Sequence, residues 1–120
     1  MTDADAELPI IDAHHHFWEF GHGRYPWLED HVIPFRYGDY SALRQRSYLV
    51  DDFLRDHGRH RVVKSVHMEA EWDPRDPVGE TRWLHALHDR TGWPHAMVGQ
   101  AWFGRDDIAD RVARVPFGFH

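Results

Sequence analysis

The sequence predicts an α/β fold in which strands alternate with helices around a parallel sheet. Three runs of strand character, near residues 10–14, 61–71 and 96–103, are each followed by a segment of helical periodicity. That alternation is the signature of βαβ units. Turn and breaker residues fall between the runs, and no internal repeat or low-complexity tract interrupts the order.

Residues 1–8 are acidic and unpatterned, which reads as a disordered terminus of a single domain. Ile10 and Ile11, β-branched and followed by Asp12-Ala13-His14, read as a buried strand entering a polar end. From 17 to 47 neither period is sustained, and Gly21, Gly23, Pro26, Pro34 and Gly38 break any regular element. This long loop carries Phe17, Trp18, Phe20, Tyr25, Trp27, Phe35, Tyr37 and Tyr40. Such aromatics can pin a loop as a small core or cover a substrate, and the two roles are compatible.

Leu49, Val50, Phe53 and Leu54 give a short amphipathic helix, with Ser47 as the expected cap and Gly58 as the stop. The run from Arg61 to Glu71 alternates: Val62, Val66, Met68 and Ala70 fall on one parity, and Ser65, His67, Glu69 and Glu71 on the other. Asp76-Pro77 is a helix start, Trp83, Leu84 and Leu87 mark the buried face, and Thr91-Gly92 is the stop. Residues 96–103 form the third strand. Asp106 or Asp107 is placed to cap a last helix through Ile108, Val112 and Val115, closed by Pro116.

Composition removes several functions. With no cysteine there is no disulfide, no thiolate nucleophile and no cysteine-ligated metal, so any metal must sit on histidine and carboxylate. A net charge of −6 argues against a general nucleic-acid binder, because phosphate affinity needs an excess of Lys and Arg. No apolar run approaches the ~20 residues of a membrane span, and the acidic start lacks a basic leader. The expectation is a cytoplasmic protein with no membrane and no nucleic acid among its partners. Six tryptophans and twelve histidines in 120 residues exceed what a generic core requires.

Two clusters could carry chemistry. In a strand, residues two apart share a face, so Asp12, His14 and His16 point one way and Ala13 and His15 the other. His14 and His16 thus offer two imidazoles together, half of a four-coordinate catalytic metal site of three protein ligands and a water. Asp12 is placed to orient a ligand or the turn. Equally, a His-x-His is common by chance in a chain this rich in histidine, and the pair could hydrogen-bond a substrate instead. His67, Glu69 and Glu71 form the second cluster. If the apolar parity packs on helices, the polar one faces a cleft shared with His14 and His16. A glutamate there can act as base, hydroxyl acceptor or ligand; a solvated strand end with idle carboxylates is the plainer alternative.

At these residues the chain resembles the amidohydrolase superfamily, in particular its lactone-hydrolase branch. The matching stretches are Ile11-Asp12-Ala13-His14-His15-His16-Phe17-Trp18, Arg24-Tyr25-Pro26-Trp27-Leu28, Val66 to Pro74, and Glu80-Thr81-Arg82-Trp83-Leu84, spanning positions 11 to 84. The resemblance implies a distorted (β/α)8 TIM barrel with its site at the carboxyl ends of the strands. It implies His14 and His16 as ligands of a divalent metal, commonly zinc, although in some members of the branch such histidines serve the substrate without metal. It further implies that Glu69 and Glu71 lie near the substrate; with His67 from the same strand face and Trp18 from the aromatic loop, they are the expected contacts of a small-molecule lactone or carboxylated substrate.

A complete barrel takes about 250 residues, so about three N-terminal βα units are expected here, a truncated fragment that is inactive alone. The remaining ligands and the group that handles the attacking water come from later strands in the superfamily, and no catalytic base is assigned. Two other functions stay open. One is a non-catalytic pseudo-enzyme or assembly module that self-associates through open sheet edges. The other is a related metal-dependent decarboxylase.

Overall fold

The computed structural model of the chain describes residues 2–34 and 38–114. Phe35, Tyr37, Val115 and Pro116, assigned above to the aromatic loop and the last helix, lie outside the described residues. Three parallel strands, β1 (Pro9–His15), β2 (Arg61–Met68) and β3 (Ala96–Val98), form one sheet in the order β1-β2-β3. The helices are α1 (Asp3–Glu7), α2 (Pro26–Glu29), α3 (Val50–Asp56), α4 (Pro77–Thr91) and α5 (Ile108–Arg114), with a 3₁₀ turn at Ser41–Arg44. The α/β alternation is therefore as expected, in an open sheet of three strands.

Where a disordered terminus was expected, Asp3–Glu7 is a one-turn helix. The Thr2 hydroxyl accepts from the Asp5 amide, and the Asp5 carboxylate accepts from the Thr2 amide. This reciprocal cap satisfies otherwise orphaned donors without burying any residue. The start of α3 also differs. Asp52, not Ser47, secures it by accepting from the Leu49 amide at 3.0 Å. Ser47 instead accepts from the Phe20 amide and ties down the loop. Val50 and Phe53 are buried as expected, whereas Leu54 is exposed.

The strands end sooner than their sequence pattern suggests. β2 stops at Met68, and Glu71, on which the expected alternation ended, adopts a φ of 51°, in the left-handed region that side chains disfavour and that no strand contains. β3 covers only Ala96–Val98. Asp107, expected to cap α5, spends its carboxylate on Arg105 and Arg111. α4 keeps its expected bounds, ending at Gly92 with a φ of 82°, a position that glycine adopts without strain.

The long loop is pinned by its aromatics. Phe17, Trp18, Tyr25, Leu28 and Tyr40 join Phe53, Trp72, Trp83, Leu84 and Leu87 in one core. Each fully buried Phe- or Leu-sized side chain stabilises by about 1.5–3 kcal/mol, so packing holds a segment whose regular structure is limited to α2, which Pro26 starts rather than breaks, and the 3₁₀ turn. Gly23 is required by this packing: a Cβ there would lie 2.3 Å from the Trp72 ring.

Candidate functional site

The site lies at the carboxyl ends of β1 and β2, where parallel α/β sheets place ligands. Asp12 pairs with Ser65 and His15 with His67, so three steps on β1 face two on β2. This bulge changes the simple alternation read from sequence. Asp12 accepts from the His14 amide at 3.1 Å and shapes the turn, as one of its expected roles required.

The four neighbouring histidines divide into two kinds. His14 is exposed and His16 half-buried; their rings meet edge to face with centroids 5.2 Å apart. His16 Nδ1 lies 2.9 Å from the Met68 carbonyl oxygen. Donation from Nδ1 to that carbonyl fixes the tautomer and leaves Nε2 as the free acceptor, the arrangement a metal-binding histidine uses. His15 turns the other way, stacked on Phe53 at 4.3 Å with Nε2 2.8 Å from the Ser65 hydroxyl. His67 is wholly buried against Phe17, His15 and His16, with Nε2 3.4 Å from the Phe17 carbonyl. Burial pushes the proton affinity of His67 down to about 3, with the His15 charge adding to it, and that of His15 down to about 4.

A cavity of about 660 Å³ opens beside these strand ends. Asp12, His15 and His16 line it from β1 and the residue after it. Glu69, Ala70 and Glu71 line it from the end of β2, and Phe53, Asp56 and His57 from α3 and its cap. Trp18, Trp27, Leu43 and Tyr48 form the remaining wall. The Trp18 and Tyr48 rings stack at 5.3 Å, and Trp18 Nε1 donates to the Arg46 carbonyl. The loop aromatics thus serve core and cavity together.

Of the sequence-derived site residues, the structure brings His16, Trp18, Glu69 and Glu71 to one cavity. His14 adjoins through its ring contact with His16 but is not part of the lining. His67 does not face the cavity. The expectation for its parity is corrected: Ser65 and His67, the polar side of β2, are fully buried, with the Ser65 hydroxyl meeting His15 and His67 Nε2 near the Phe17 carbonyl, while His67 Nδ1 is buried without a hydrogen-bond partner. Sequence reasoning missed Asp56 and His57, whose only signal was their place at the end of α3. It also gave no role to Glu80, although Glu80 falls on the Trp83, Leu84 and Leu87 face of α4, where a carboxylate is out of place.

A metal would find two imidazoles here, with one ring already oriented by its carbonyl partner. Among the described residues, no group of three or more His, Cys, Asp or Glu could hold a metal ion. His14 and His16 therefore fit half of a metal site, not a complete one.

No family model matches the chain. It is 43% identical over 105 residues to the uncharacterized protein y4mH of Sinorhizobium fredii, which covers 88% of this chain and 35% of that protein. Among solved structures, an amidohydrolase from Burkholderia multivorans with bound zinc matches with a TM-score of 0.57 and 28% identity. That match covers 88% of this chain and 33% of the Burkholderia chain. The relationship is amidohydrolase-like. The chain spans about a third of the length of either protein. The three parallel strands are compatible with part of a TIM barrel. Among the described residues no helix is long and apolar enough to cross a membrane.

Proposed function

We propose that residues of this chain form the opening part of an amidohydrolase-type site that hydrolyses a lactone, as the N-terminal βα units of a (β/α)8 barrel. The observation that carries the reading is the adjacent His14–His16 pair at the end of the first parallel strand, next to a cavity shared by His16, Glu69 and Glu71. His14 and His16 would hold one side of a divalent metal, zinc by analogy with the Burkholderia structure. Bound there, the metal supplies Lewis acidity toward a carbonyl oxygen.

The chain's own residues do the rest of what is proposed here. Trp18 offers a flat apolar face to a ring. Glu69 and Glu71 accept hydrogen bonds from substrate hydroxyls. Asp12, Asp56, Glu69 and Glu71 line the cavity, and no Lys or Arg does so among the described residues. A carboxylated substrate would meet like charge, which favours an uncharged lactone and weakens the decarboxylase alternative.

The test replaces the matching third of the Burkholderia amidohydrolase by this chain and assays parent and chimera, with zinc, on uncharged and carboxylated lactones. The expected result is turnover of uncharged lactones by the chimera, lost in His14→Ala and His16→Ala, and none by the isolated chain. A chimera that turns over only carboxylated lactones, or an unaffected double variant, contradicts the reading.

The exposed edge of β1 favours a second reading, self-association: Ile11 on that strand is 61% exposed, and Leu8 just before it 59%. Size-exclusion chromatography across a dilution series checks it. A monomer at every concentration excludes it.

A further inference from the structure

We propose that Glu80 is a positioning residue: reaching from α4, its carboxyl group holds the Glu69-Ala70-Glu71 turn that presents two carboxylates to the cavity. The significance of that turn rests on the lactone reading, but the tether itself does not.

Glu80 is only 2% exposed, and no salt bridge among the described residues involves it. A buried carboxyl without a cation costs stability unless hydrogen bonds compensate. The partner it has is the Ala70 amide, within 3.1 and 3.3 Å of its two oxygens. A leucine at this position would extend the apolar face of α4, so the polar group is retained against the packing preference of its own helix.

What it secures is a strained turn. Glu71, the next residue, sits at a φ of 51° without being glycine, a conformation that costs roughly 1 kcal/mol. The Ala70 carbonyl is held from the other side by Trp27 Nε1 at 2.8 Å. The Glu71 amide donates to the Glu69 carboxylate at 2.8 Å, and Gln100 Nε2 approaches the same oxygen at 3.3 Å. Ala70 is thus clamped on both backbone polar groups, and its two glutamate neighbours are fixed as a consequence. Burial, together with the Glu69 charge, raises the Glu80 carboxyl to about 8. A neutral acceptor at this place therefore resembles the form that prevails at pH 7, and Glu80→Gln is the natural rescue variant.

The experiment measures hydrogen exchange at the Ala70 amide, and the amide–Hα coupling of Glu71, in the full ¹⁵N-labelled chain. Glu80→Leu, which removes the acceptor, is expected to speed Ala70 exchange about tenfold or more and to move the Glu71 coupling off its positive-φ value. Glu80→Gln is expected to keep the coupling and to stay within roughly threefold of the wild type. Unchanged Ala70 exchange in Glu80→Leu overturns the proposal, as does Glu80→Gln behaving like Glu80→Leu. If Glu80→Leu does not fold, Glu80→Gln decides: retained protection supports the tether and lost protection overturns it. An inactive lactone chimera with Ala70 protection intact would count against the substrate reading and leave the positioning role standing.

Discussion

His14 and His16 on one side of the β1 terminus, and His15 and His67 on the other, are the same residue type within one small region, yet their surroundings differ. His14 meets water, and His16, half-buried on the cavity, is oriented by the Met68 carbonyl. The second pair is packed among Phe17 and Phe53 and held neutral by burial, completely for His67 and in part for His15, which also borders the cavity. The difference teaches that a histidine run can be divided between an exposed side and the core by backbone geometry alone. Here strand alternation separates His15 from His14 and His16, and a bulge opposite Ser65 and His67 shifts the register between Asp12 and His15.

The sharpest way to break the comparison is His67→Ala. A buried ring replaced by a cavity should cost about 3 kcal/mol, read as a lowered midpoint in denaturant melts. A loss under about 0.5 kcal/mol, the usual scale for exposed sites, would place His67 with the exposed His14.

Next in size is the pH dependence. Unfolded imidazoles titrate near 6.5, whereas burial holds His67 down at about 3 and His15 at about 4. Between those values the unfolded chain binds more protons, so stability is full above about 6.5 and falls as pH drops toward 4 and 3. Glu80 runs the other way. Raised from 4.5 to about 8, it contributes stability that is present below 4.5 and is lost as pH rises through 8. Thermal melts across pH should therefore give a dome, with His67→Phe flattening its acid limb and Glu80→Gln its alkaline limb. An acid limb unchanged in His67→Phe would refute the assignment.

Trp27→Phe, which deletes the donor to the Ala70 carbonyl, should cost about 1 kcal/mol in the same melts. The smallest effect is expected for His14→Ala, within about 0.5 kcal/mol of the wild type, since its ring is exposed.

Much of this arrangement was legible in the sequence, for identifiable reasons. Periodicity located α4, because Trp83, Leu84 and Leu87 bury one face and Gly92 supplies the left-handed stop. The order of strands and helices followed from punctuation by Gly and Pro. The bulge in β1 was not legible, because it depends on pairing with β2 and leaves no local residue signature. His67 was misplaced because a polar parity was equated with an open face. Ser65 meets the His15 ring and His67 Nε2 lies near the Phe17 carbonyl, and neither contact is visible in one dimension. Glu80 was overlooked although its position was suspicious, since its partner is a backbone amide ten residues away.

The most direct measurement of the division among the histidines is a zinc titration of the ¹⁵N-histidine-labelled chain, followed through the ring nitrogens. The account predicts shifts at His14 and His16, with His15 and His67 keeping their neutral tautomers throughout. Zinc-induced shifts at His15 or His67, with His14 and His16 silent, would contradict it.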